Sequence, residues 1–162
     1  PLYLVTERGL DNDYANTVLS LSRVSGLFMT FIAGWITDRL GERKVISATL
    51  ILVGISTILI GTLSGIWLVV IIFIQAGLTA CYFPAGFSAL SRIVNPNTRS
   101  VATSLVTPQS FLIGNGILPA FIGYMGQNYS FGLSMILVGI LIVLGSGLVI
   151  FIELLENTDE GC

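Results

Sequence analysis

Five long apolar runs separated by short polar breaks organise the 162-residue chain. They cover residues 15–37, 45–63, 66–90, 101–125 and 131–155. At 1.5 Å of rise per residue, each is long enough to cross a bilayer core, which takes about 20 apolar residues. Segments such as ILVGISTILIG and ILVGILIVLGSGLVIFI do not alternate between apolar and polar, as a membrane β-strand would. Lipid cannot hydrogen-bond to an open backbone, so helices are the expected form. The breaks are DRLGERK (38–44), Ser64-Gly65, NPNTRS (95–100, with Pro96) and GQNYS (126–130). The pattern predicts an all-α integral membrane fold with five transmembrane helices in a bundle over 15–155. Residues 1–14 read as the end of a truncated preceding helix and an outer loop, and 156–162 as a cytoplasmic tail.

Composition sharpens this picture. The chain is 54% hydrophobic and 10% charged, against about a quarter charged in soluble proteins. Such a chain cannot coat a water-facing surface, and it is too apolar for disorder. It has no histidine, which removes His-based triads, HExxH zinc sites and imidazole bases. Cys81 and Cys162 are far apart and form no CxxC pair, so neither a metal site nor a disulfide framework is expected. The sequence is not read as an enzyme, and no cofactor is expected. No basic stripe points to nucleic acid. The chain opens on Pro1 without a basic leader, so no signal peptide is expected and it reads as a piece of something longer.

Lysines and arginines in short loops set orientation. Residues 38–44 hold Arg39, Arg43 and Lys44, and the 92–99 connection holds Arg92 and Arg99. The opposite side holds only Arg8. Five against one places loops 38–44 and 92–99, with the C-terminus, in the cytoplasm. A bacterial inner (plasma) membrane is the expected location.

One break carries a specific motif. Gly34-Trp-Ile-Thr-Asp38-Arg39-Leu-Gly41-Glu-Arg43-Lys44 resembles the signature loop of the major facilitator superfamily, G-x-L-A-D-R-x-G-R-K. Gly34, Asp38, Arg39, Gly41, Arg43 and Lys44 match. Ile36 and Thr37 replace Leu and Ala, and Glu42 is an added acid that would weaken the basic face. The resemblance implies two six-helix halves that rock about a central cavity, moving a small solute by alternating access. It also implies that Asp38 is held near the positive end of a helix of the other half, with Arg39 and Arg43 in a charge network. Gly34 and Gly41 would allow close approach and a tight turn. The plainer reading is a basic loop that only sets topology.

The departures select the half. Residues 72–77, IFIQAG, lack the arginine of the R-x-x-Q-G pattern, and Gly114-Asn-Gly116-Ile-Leu-Pro119 stands in place of G-x-x-x-G-P. Both resemble the C-terminal half, helices 8–12 plus the end of helix 7. The implied partners are the missing N-terminal six-helix half, the bilayer and the solute.

Within the spans, Arg23 is the deepest charge, about 12 Å from the outer end. A central arginine costs roughly 2.5–3.5 kcal/mol on insertion scales. It should face a polar cavity, where it would bind an anion, or else snorkel or pair with an acid of the other half. No Asp or Glu lies deep in a span, Glu153 standing at the end of the fifth, so a proton or sodium relay would have to sit in the missing half. Arg23, Gln75, Thr79 and Asn115 are the candidate solute contacts, with Tyr82 and Gln109 near them. Such amides and hydroxyls also hydrogen-bond between helices for about 0.6 kcal/mol each. Pro84, Pro108 and Pro119 are expected to kink their helices. Ser22, Gly26, Thr30 and Gly34, like Ala76, Ala80, Pro84 and Ser88, form ridges of small residues at fourfold spacing, and Gly132, Gly139, Gly145 and Gly147 read as packing positions. A non-transporting scaffold or receptor-like relative, or a half-length chain that dimerises, is the alternative.

Overall fold

A computed structural model describes residues 2–93 and 99–159. The elements are α1 (Leu2–Thr6), α2 (Asn12–Leu40), α3 (Glu42–Thr62), α4 (Ile66–Ile93), α5 (Arg99–Phe111), a π-helical turn (Leu112–Ile117), α6 (Leu118–Asn128) and α7 (Phe131–Asp159). Among the described residues, five helical spans are long and apolar enough to cross a membrane; α5, the π-turn and α6 form one of them. Residues 94–98, which include the first four of the NPNTRS break and take up most of the 92–99 connection, lie outside the described residues, as does the end of the acidic tail with Cys162.

The helices run past the apolar limits because polar residues cap them. The Asp11 carboxylate accepts from the Asp13 N–H at 3.1 Å and opens α2, with Asp13 in its first turn. Gly41, at φ 84°, ends α2 with its N–H on the Thr37 carbonyl and starts α3 at once. Pro119 explains the π-turn. It lacks an N–H, and its ring would strike the carbonyl four residues back. Widening the preceding turn, with Leu118 N–H reaching back to the Ile113 carbonyl, avoids that clash.

Packing is concentrated in three helix pairs, α2 with α4, α4 with α3, and α3 with α7. The α3–α7 seam is a backbone contact. A Cβ on Gly139 would sit 2.7 Å from the Gly54 carbonyl oxygen, and one on Gly61 would sit 2.7 Å from that of Gly132. The glycines pair 54 with 139 and 61 with 132, one heptad apart on each antiparallel helix. A Cβ on Gly145 or Gly147 would meet nothing within 4 Å, so these two are not packing positions within the described chain.

On α2 the packed ridge also differs from the expected one. Ser22 and Gly26 are buried, and Gly26 lies against Ala76 and Ala80, but Thr30 is exposed and Gly34 faces open space. A fourfold spacing drifts by about 40° per step around a helix of 3.6 residues per turn. The contact with α4 therefore continues through Met29, which meets Gly77, and Ala33, which is buried.

The short α1 closes one end of the bundle. Tyr3 and Leu4 are buried with Ala15, Val18, Ile60, Leu68, Ile72 and Phe131. The Tyr3 hydroxyl donates to the Ile60 carbonyl at 2.6 Å, and Arg8 donates to the Tyr3 oxygen and the Gly61 carbonyl. The Glu7 carboxylate accepts the N–H groups of Phe131 and Gly132, at the positive start of α7.

Candidate functional site

The surface of α2 divides into three sectors. Ala15, Val18, Ser22, Gly26, Ala33 and Thr37 are buried. Tyr14, Leu21, Val24, Phe28, Phe31, Ile32 and Trp35 are exposed and apolar, a surface suited to acyl chains. Between these sectors runs a second exposed stripe, Asn12, Asn16, Ser20, Arg23, Thr30 and Asp38, with half-buried Gly34. At 3.6 residues per turn these seven fall within about 80° of arc and follow the whole length of the helix. Leu27 is the one apolar residue among them. Sequence reasoning picks out Arg23, Gly34 and Asp38 separately. It misses Asn12, Asn16, Ser20 and Thr30 as members of the stripe, and the signal that could have found them is their common angular position.

Arg23 is exposed and has no hydrogen-bond or ion-pair partner among the described residues. Asp38, about 22 Å further along the axis, is likewise exposed and unpartnered among them. Acyl chains would leave the Arg23 guanidinium at a cost of kilocalories, whereas Asp38 stands at the loop end of α2.

The other candidate solute contacts do not join Arg23. The Gln75 amide donates to the Thr57 hydroxyl at 2.7 Å and ties α4 to α3. The Thr79 hydroxyl donates to the Gln75 carbonyl, one turn back. Asn115 and Gln109 are exposed on the α5–α6 span, where no residue of the most apolar stretch is buried. The Tyr82 ring meets Phe83 edge to face. Of the three prolines, Pro84 and Pro108 lie inside helices and Pro119 follows the π-turn.

In the 38–44 loop, Gly41 makes the single-residue turn between two helices. The Arg39 guanidinium stacks 4.4 Å from the centre of the Trp35 ring, and Lys44 is exposed. Arg43 is half-buried. Glu42 is buried, and its carboxylate accepts from the Ser88 hydroxyl of α4 at 2.8 Å. As the first residue of α3 it points into the bundle, and the positive end of that helix favours its charge.

No cluster of three or more Cys, Asp or Glu capable of holding a metal occurs among the described residues. No match was found among curated proteins or among solved structures. A family model, Major Facilitator Superfamily, matches residues 1–161. That match covers nearly the whole chain and agrees with five apolar helical spans among the described residues, the first two joined by the DRLGERK loop, so this integral membrane chain belongs to the major facilitator superfamily of transporters.

Proposed function

We propose that the chain is the C-terminal half of a secondary transporter that moves a small organic or inorganic anion by alternating access. The observation that supports this best is Arg23. It is an exposed, unpartnered guanidinium, among the described residues, on a polar stripe that follows a membrane span. A planar fork of donors suits a carboxylate, phosphate or sulfate. In this reading the stripe faces the solute path and the N-terminal half, and Asp38 at its end meets that half as a conformational switch. The other polar candidates, Thr79 and Asn115, are exposed and free to take part, whereas Gln75 holds α3 to α4. Pro84, Pro108 and Pro119 let the spans bend during the cycle. The arginine distribution supports cytoplasmic 38–44 and 92–99 loops, and a bacterial inner membrane is the proposed location. The chain performs transport and no bond chemistry.

The test uses the full-length protein in proteoliposomes with labelled succinate, phosphate, sulfate and a neutral sugar. Uptake of an anion that Arg23→Gln abolishes and Asp38→Asn only slows is the expected result. Sugar uptake unchanged by Arg23→Gln would overturn the anion reading.

A further inference from the structure

Two acids flank the turn between α2 and α3 and point in opposite ways. Asp38 is exposed, on the polar stripe. Glu42 is buried against α4, bonded to a serine 46 positions away. Only Gly41 separates the two helices, and both of its backbone groups are in use. Its N–H reaches the Thr37 carbonyl at 2.9 Å, and its own carbonyl accepts from Val45 N–H at 3.3 Å. A one-residue link bonded on both sides has little slack, so the direction of the last α2 turn follows that of the first α3 turn. Within that α2 turn Thr37 is buried, with its hydroxyl on the Ala33 carbonyl, and Asp38 is turned outward. A partly buried, charge-assisted bond from a hydroxyl to a carboxylate is a strong anchor, and charge at the start of α3 strengthens it.

We infer that Glu42 is a positioning residue: by bonding Ser88 it fixes the start of α3 on α4, and through Gly41 it sets the outward presentation of Asp38. The inference rests on the proposed switch role of Asp38. The added acid in the signature loop is thus not a dilution of its basic charge; it serves as the inner anchor for the outer acid.

The experiment reads the switch without needing the transported solute. In vesicles carrying the full-length protein, the probe is a membrane-impermeant maleimide. The readout is the rate at which it labels Thr30→Cys, a reporter on the exposed stripe. Asp38→Asn is expected to change that rate by about fivefold or more, the low end of coupling between sites. Glu42→Ala and Ser88→Ala should change it in the same direction, and Glu42→Gln, whose amide oxygen still accepts from Ser88, should restore most of it. Because Ser88→Ala removes the same bond from α4, the test survives if Glu42→Ala folds poorly. Combined with Asp38→Asn, neither Glu42→Ala nor Ser88→Ala should add a further change. Multiplying effects would overturn the inference. So would a change in Asp38→Asn with none in Glu42→Ala or Ser88→Ala, which leaves the switch reading intact. No change in Asp38→Asn would instead refute the switch itself, and with it the positioning role.

Discussion

Replacing Gly139 with alanine adds one methyl group where α3 and α7 touch backbone to backbone. That methyl would lie 2.7 Å from the Gly54 carbonyl oxygen and 2.9 Å from the Ile58 nitrogen. Neither atom can rotate away, since both belong to a helix backbone. Reaching an ordinary C···O distance of roughly 3.3–3.6 Å requires the helices to part by about 0.6–0.9 Å. A gap of that size forfeits a quarter to a half of the dispersion well for each facing atom pair, at about 0.1–0.2 kcal/mol per pair. Over some tens of pairs along the seam, the loss is about 1–3 kcal/mol, the usual range for overpacking. The control is Gly145→Ala on the same helix, where nothing lies within 4 Å. Lipid keeps α7 helical in folded and unfolded states alike, so the helix-propensity gain of alanine largely cancels and this control should be near neutral. The two variants should differ by about 1–3 kcal/mol, roughly 5- to 150-fold in the folded-to-unfolded ratio. Equilibrium unfolding of the purified full-length protein in mixed micelles of rising SDS fraction measures it. Equal midpoints for Gly139→Ala and Gly145→Ala would refute the backbone-contact account of the seam.

Other expectations follow from the same geometry. Gly41→Ala forces a side chain into φ 84°, ψ 147°, a region that glycine alone adopts readily, and should cost about 1–3 kcal/mol, read as a lower unfolding midpoint in the same micelles; an unchanged midpoint argues against a strained turn. Glu7→Ala removes the acceptor for two N–H groups at the start of α7 and should lower stability by about 1 kcal/mol, with faster deuterium exchange at Phe131 and Gly132; unchanged exchange there refutes the cap. Arg23→Leu should insert more readily by roughly 3 kcal/mol on insertion scales while losing anion uptake, and a variant that inserts worse than wild type contradicts an unpartnered arginine. Gln75→Ala should cost about 0.6 kcal/mol with KM unchanged, and a raised KM would make Gln75 a solute contact.

Apolar run length and turn chemistry make the helices legible. Asp11, Gly41 and Gly65 mark helix ends by local rules that need no tertiary information, and the DRLGERK loop carries the family. Packing is legible only in part. The glycines of α7 look alike in sequence, yet Gly132 and Gly139 touch α3 while Gly145 and Gly147 touch nothing among the described residues. The fourfold ridge on α2 holds for Ser22 and Gly26 and fails beyond them, because its drift carries Thr30 and Gly34 away from α4. The candidate site is legible residue by residue but not as a surface. Arg23 stands out as a charge in an apolar run, whereas Asn16, Ser20 and Thr30 acquire meaning only from sharing its exposed side. Glu42 misleads for the same reason, since its neighbours along the chain are basic, while in space it also meets Ser88, 46 residues away.

By itself, the sequence determined that this chain lies in a membrane as helices, since hydrophobic length and backbone satisfaction are local and additive. It also determined the family through one short loop. The tertiary structure alone decided which side of each helix is spent on packing and which is left over. That choice depends on where a second backbone happens to pass, close against Gly54 or Gly26 and clear of Gly34 or Gly145. The leftover surface is where Arg23 and Asp38 stand.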